Sequence, residues 1–214
     1  MATKLQVYNQ ALRYCKERKI ASLTENREPR RLLDDVWAEG GVDTCLEEAQ
    51  WKFAIKAVRL DNDTTVDREF GYTYAFSKPD DWKVTSAVCS DEYYDVPLTR
   101  YSHENNYWYA DLDKLYVKYV SNSTDYGYDL SLWPASFQAF VAAYFANEIV
   151  GKLTHDDSTI ADVEKIYATN KLRAKNKDAM NQAQRFPAPG NWTTSRGRLR
   201  GDNRDRGNRG SLLG

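Results

Sequence analysis

The sequence predicts an α+β fold. Helix pairs at the two ends of the chain form one bundle, a small antiparallel β-sheet or β-barrel layer is inserted between them, and a disordered basic tail follows. Three observations predict it. Apolar residues recur at spacings of three and four near both ends, alternate with a period of two in the middle, and give way at last to a Gly/Arg-rich stretch. With 214 residues, the chain can bury one substantial core and a second small layer. The expected boundaries are 1–52 for the N-terminal helices, 53–130 for the β-rich aromatic insertion, 131–185 for the C-terminal helices and 186–214 for the tail.

The first helix, over residues 3–19, places Leu5, Tyr8, Leu12 and Cys15 on one face. Capping and turn residues from Ser22 onward start a second helix near Asn26 or Glu28. Leu33, Trp37, Val42, Cys45, Leu46, Ala49 and Phe53 continue an apolar face that Gly40-Gly41 interrupts. Each glycine costs about 1 kcal/mol relative to alanine in a helix, so a bend or close helix crossing is expected there.

From Phe53 the period shortens. Residues 53–60, 70–76, 81–89 and 96–102 read as strands, the last at an edge because of Pro97. Residues 106–120 read as two more strands, broken at Asp111–Asp113. Fifteen of the chain's twenty-eight aromatic residues lie between Phe70 and Tyr128. That density suits cross-strand packing first, a protein-contact surface second and a carbohydrate-stacking platform third.

The organising helix is expected over Trp133–Leu153. Phe137, Phe140, Val141, Tyr144, Phe145, Ile149 and Leu153 stack on one face, with Pro134 in the first turn, Ser131 as N-cap and Gly151 near the stop. Asp157 or Ser158 then caps a long helix running to about Gln184, with Ile160, Val163, Ile166, Tyr167, Leu172 and Met180 on its buried side.

The overall charge of −1 hides an asymmetry. Residues 186–214 hold six Arg and two Asp, so this tail is +4 and residues 1–185 sum to −5. Cys15, Cys45 and Cys89 are odd in number and far apart, which predicts partly buried thiols in a reducing compartment. The N-terminus lacks the apolar stretch of a signal peptide, and no run reaches transmembrane length.

Catalytic and metal-binding patterns are missing. Only His103 and His155 are present, both in expected turns, and no HExxH, GxSxG, P-loop, GxGxxG or Cys/His cluster occurs. The adjacent acids Asp80-Asp81, Asp91-Glu92 and Asp156-Asp157 read as turn formers or caps. The sequence therefore argues for a non-enzyme with no cofactor. The alternative is a glycan hydrolase using Asp80, Asp91 or Glu92, or a glycan-binding β-module.

Several short segments in order carry a resemblance. They are Asn9-Gln-Ala-Leu, Trp51-Lys-Phe-Ala, Gly71-Tyr-Thr-Tyr-Ala-Phe with Pro79-Asp-Asp, Tyr116-Val-Lys-Tyr-Val, and Trp133-Pro-Ala-Ser-Phe before an Ala-rich helix. Over about residues 5–180 the chain resembles the tail tubular protein A family, the head-to-tail adaptors of short-tailed bacteriophages. The resemblance implies a helical bundle with a β-rich part, no required cofactor, and a ring of about twelve copies. Such a ring joins the phage portal protein to the tail nozzle protein around the channel through which genomic double-stranded DNA leaves. It sits in the virion at the portal vertex, is assembled in the host cytoplasm, and needs no membrane or DNA sequence-specificity.

Two sets of contact residues follow as expectations. Tyr93, Tyr94, Tyr107, Trp108 and Tyr109 are candidates for the subunit or nozzle interface, because interfaces favour Tyr and Trp. Arg196, Arg198, Arg200, Arg204, Arg206 and Arg209 are candidates for portal or DNA contact, solvated disorder being the bland alternative. The tail is not part of the resembling pattern. Its 29 residues reach at most about 100 Å when extended, enough to thread along a portal and order on docking. The negative charge of the remainder suits a lumen that does not grip DNA, provided that the acids face inward.

Overall fold

The computed structural model describes residues 2–66 and 70–181. In chain order it has α1 (Lys4–Tyr14), α2 (Glu28–Ala38), α3 (Gly41–Glu47), a 3₁₀ turn (Lys52–Ala54), β1 (Ile55–Asp61), β2 (Tyr74–Ser77) and β3 (Trp82–Cys89). Then come β4 (Ser102–Glu104), β5 (Tyr107–Ala110), β6 (Lys114–Ser121), α4 (Ala135–Leu153) and α5 (Asp157–Met180). The α+β order holds. The tail expected at 186–214, with its six arginines, lies outside the described residues, as do residues 182–185.

Helix α4 is the hub, and α1, α2, α3 and α5 all pack against it. Phe137, Phe140, Val141, Phe145 and Ile149 are buried as their spacing predicts, but so are Ala142, Ala143, Ala146 and Val150. Covering is thus nearly all round rather than one-faced, because alanine lets a neighbouring helix come close where a larger side chain would hold it off. Around the N-terminal half of α4 the Phe137 ring meets Trp51, Phe53 and Trp133 at 4.9, 4.7 and 5.0 Å between centroids. The two buried indoles beside Phe137 find partners. Trp51 donates to the Cys45 carbonyl at 2.9 Å and Trp133 to the Gly127 carbonyl at 2.8 Å.

Several helix ends differ from expectation. Helix α1 starts at a Thr3–Gln6 capping box and is over by Cys15, short of residue 19. The N-cap of α4 is Pro134, not Ser131. Successive turns from Asp129 to Trp133 occupy Ser131, whose N–H donates to its Asp129 side chain at 2.8 Å. The end of α4 at Leu153, two residues past Gly151, is where it was expected. Asp156, not Asp157 or Ser158, caps α5 by accepting from the Ser158 and Thr159 amides, and α5 ends at Met180. Leu172 and Met180 are exposed rather than buried. The C-terminal half of α5 is tied down by charge instead, Lys171 and Lys175 reaching Glu48 at 2.7 and 3.1 Å.

The break at Gly40-Gly41 is real. Gly40 has φ +84°, and a Cβ on Gly41 would lie 2.8 Å from the Val36 carbonyl and 3.0 Å from Phe145. That is the close crossing anticipated, placed against α4.

The strands form two antiparallel three-stranded sheets, ordered β1-β6-β3 and β2-β5-β4. Both are open, so the barrel alternative is set aside. Residues 96–101 do not form the strand expected there. Apart from a single bridge between Pro97 and Cys89, regular pairing resumes only at Ser102, and His103 sits in strand β4 rather than in a turn. Proline has no amide to give a ladder. A second core of Phe76, Val88, Trp108, Ala110, Leu115, Val117 and Tyr119 lies within this β layer.

Register fixes the layer's two ends. Ile55 and Val84 both pair with Val120 near the bundle, whereas Asp61 pairs with Lys114 and Cys89 with Tyr116 at the far end. At the bundle end Asp81 accepts from Lys56 at 2.8 Å, Tyr119 at 2.8 Å and Ser121 at 2.6 Å. Asp43 of α3 binds Lys83 of β3 at 2.9 Å and Asn122 at 3.1 Å. Burial alone would raise the Asp81 carboxyl, but the hydrogen bonds from Lys56, Ser121 and Tyr119 outweigh it and hold it below the usual range. Cys15, Cys45 and Cys89 are all buried thiols, and desolvation pushes Cys15 up to about 12. Among the described residues no helix is long and apolar enough to cross a membrane.

Three variants test this frame by urea denaturation. A Cβ on Gly151 meets nothing within 4 Å, while one on Gly127 would lie 2.4 Å from the Ser121 carbonyl. Gly151→Ala should stabilise by about 0.5–1 kcal/mol, and Gly127→Ala should destabilise by about 1–3 kcal/mol. Asp81→Asn should cost about 2 kcal/mol at pH 7, because charge-assisted hydrogen bonds are lost. Its carboxyl is depressed in the folded state, so the stabilisation exists above pH ~4 and fades as pH falls toward the folded value. The gap between wild type and Asp81→Asn should close accordingly.

Candidate interaction surface

The far end of the larger sheet carries the loops that follow β1 and β3. Phe70 is 82% exposed, Tyr93 76% and Val96 57%. Large apolar side chains this open cost solvation unless a partner covers them, so this end is the candidate interaction surface.

The loop from Ser90 to Tyr101 is held in shape. Asp91 accepts the amides of Asp95 at 3.0 Å and Val96 at 2.8 Å, which hold its carboxyl below the usual range. Tyr94 takes φ +60°, its hydroxyl donates to the Val117 carbonyl at 3.4 Å, and the Lys118 ammonium lies 3.8 Å from its ring centre. The Leu98 amide returns to the Val88 carbonyl at 2.9 Å. With its neighbours pinned, Tyr93 is presented on a fixed base, which lowers the entropy cost of inserting it into a partner.

Of the five aromatics expected at an interface, the structure presents one. Trp108 is fully buried in the second core, so it is a core residue and not a surface anchor. Tyr107 and Tyr109 stack along the opposite face of β5 at 5.9 Å, with Tyr109 buried and Tyr107 half-buried. Successive strand residues point to opposite faces, so these three cannot form one patch. Tyr94 is half-buried under Lys118, leaving Tyr93. Phe70 and Val96 were missed. Their signal was an apolar residue out of alternation at a polar turn, beside Gly71 and Pro97.

Of the acids weighed for glycan chemistry, Asp80 is kept apart from Asp91 and Glu92. Asp80 precedes β3 and Asp91 follows it. Eight residues of strand span about 26 Å, against the roughly 5–10 Å separating a glycosidase pair. Among the described residues no cluster of three His, Cys, Asp or Glu could hold a metal ion.

One polar cluster was not foreseen. Lys78 is only 4% exposed. Its ammonium donates to the Asn105 carbonyl at 2.6 Å, contacts His103 Nε2, and lies 4.4 Å from the Trp82 ring centre and 5.7 Å from that of Trp108. Burial lowers Lys78, and burial followed by the Lys78 charge lowers His103. The imidazole must therefore present a lone pair at Nε2, and the cluster pins edge strand β4 to β2. Compared with protein-family models and with curated proteins, the chain finds no match.

Protonating His103 would set two cations side by side. Its folded pKa lies below the unfolded value of ~6.5, so the folded state binds fewer protons and stability falls as pH drops below ~6.5. His103→Gln should lessen the loss of urea midpoint between pH 7 and pH 5. An unchanged loss would show that His103 does not contribute.

Proposed function

We propose that this chain is a structural virion protein, a head-to-tail adaptor. Copies form a ring that joins the portal to the tail nozzle and surrounds the DNA exit channel. The observation that carries this reading is the division of labour among the side chains. Asp34, Asp43, Glu48 and Asp81 are all engaged in tying elements together, while Phe70, Tyr93 and Val96 stand open at one end. A chain that spends its carboxylates on rigidity and keeps its apolar anchors for a partner suits assembly.

The segments that carry the resemblance support the same reading, because they fall on the joints of the fold. Asn9 binds both the amide and the carbonyl of Ile20. Trp51 and Trp133 brace α4, Gly71 takes φ +93° before β2, and Asp81 with Tyr119 ties the start of β3 to β6. The likeness thus lies in a scaffold, which is what an adaptor must provide.

Electron microscopy of the full-length chain, alone and mixed with the portal encoded in the same genome, tests the proposal. The expected image is a ring added to one end of the portal only. No association at micromolar concentration and low salt would overturn it.

A further inference from the structure

The N-terminal end of α4 and the C-terminal end of α5 flank a groove of about 370 Å³ lined by Pro134, Ala135, Ala139, Arg173 and Lys177. This volume is at the small end of the ~300–1,000 Å³ typical of ligand sites, room for one or two side chains and too little for a helix. Arg173 and Lys177 stand one helical turn apart. Among the described residues neither has an ion-pair partner, in contrast to Lys171 and Lys175, which share Glu48. The groove thus has a small apolar floor and a basic rim with its charge unspent.

The loop after β3 has complementary chemistry. Exposed Tyr93 and Val96 are interleaved with the acids Glu92 and Asp95, also exposed. One molecule cannot bring the two together. Asp178 near the end of α5 accepts the Lys52 amide at 2.9 Å, just before β1, so the groove lies toward the bundle end of the sheet. The loop leaves the other end, beyond a strand about 26 Å long. The tail at 186–214 is +4, the same sign as the rim, and is the wrong occupant electrostatically.

From this complementarity we infer that the occupant is a second copy of the chain. The 90–98 loop of one copy inserts Tyr93 into the α4–α5 groove of the next, and Glu92 and Asp95 meet Arg173 and Lys177. The inference rests on the adaptor reading for its biological setting. A contact between two different surfaces is heterologous and repeats from copy to copy, so it closes into a ring when the rotation per copy allows.

The test uses two full-length variants and sedimentation velocity. Arg173→Glu/Lys177→Glu spoils the groove and keeps the loop. Glu92→Gln/Tyr93→Ala spoils the loop and keeps the groove. Each should weaken self-association at least tenfold and sediment as a monomer where the wild type forms rings. An equimolar mixture should form pairs and stop there, because one loop and one groove survive per pair. Unchanged thermal melting of each variant checks the fold, and Glu92→Gln/Asp95→Asn replaces the loop variant should that one melt early. If the wild type forms rings and either variant does too, or if the mixture stays monomeric, this inference is overturned and the adaptor reading stands. A wild type that stays monomeric with and without the portal overturns both.

Discussion

Covering α4 is the constraint on which the rest depends. A helix with Phe137, Phe140, Val141, Phe145 and Ile149 on one side and Ala142, Ala143 and Ala146 on the other has no face suited to water. Two helices from the N-terminal region, the short α3 and the following α5 must all reach it. The chain therefore has to return to its starting point after the strands. The β layer is an excursion that both leaves from and re-enters at the bundle. Trp51 and Trp133 stand at those two points, both against Phe137. Their hydrogen bonds to Cys45 and Gly127 orient the rings without leaving a buried N–H unmet.

The excursion would act as a hinge were it held by two chain crossings alone. Asp43 of α3 counters that by reaching Lys83 of β3 and Asn122 after β6, so rotation of the sheet against α3 breaks both contacts together. Asp81 acts inside the sheet, where it ties the starts of β1 and β3 to the end of β6. These pairs are partly exposed, and exposed ion pairs contribute little singly. The weight of Asp81 comes from sharing one carboxylate among three donors, a geometry that solvent cannot reproduce without reorganising all three.

Much of this was legible in the sequence, for reasons that mark where legibility ends. The spacing of Phe137 to Ile149 exposed α4, and the break at Asp111–Asp113 separated β5 from β6. Periodicity reports the direction of a side chain, however, not what waits for it. Leu172 and Met180 lie off the face of α5 on which Val163 and Ala174 are buried, although α4 reaches as far along as Asn181, and the ion pairs of Glu48 help to hold that half of the helix. Trp108 was read as a surface residue because aromatic density was counted without regard to strand parity. The same parity, applied to Tyr107, Trp108 and Tyr109, would have separated them. Lys78 could not have been found this way, because only the register of β2, β5 and β4 brings His103 and Asn105 to it.

On the adaptor reading, the joint between bundle and sheet bears on assembly as well as on stability. In a ring of about twelve copies each contact must turn the chain by about 30°. With the loop at the far end of the sheet and the groove in the bundle, the angle passed on includes the angle between those two parts. Slack of a few degrees at the joint would accumulate around the circle to more than one copy's share. A closed ring then requires either soft contacts that absorb the error or a body that does not flex. The pinned Tyr93 loop, the Asp43 tie across the joint and the Asp81 tie within the sheet belong to the second solution. On the adaptor reading, the carboxylates that a catalytic protein would keep for substrate are used here to hold an angle.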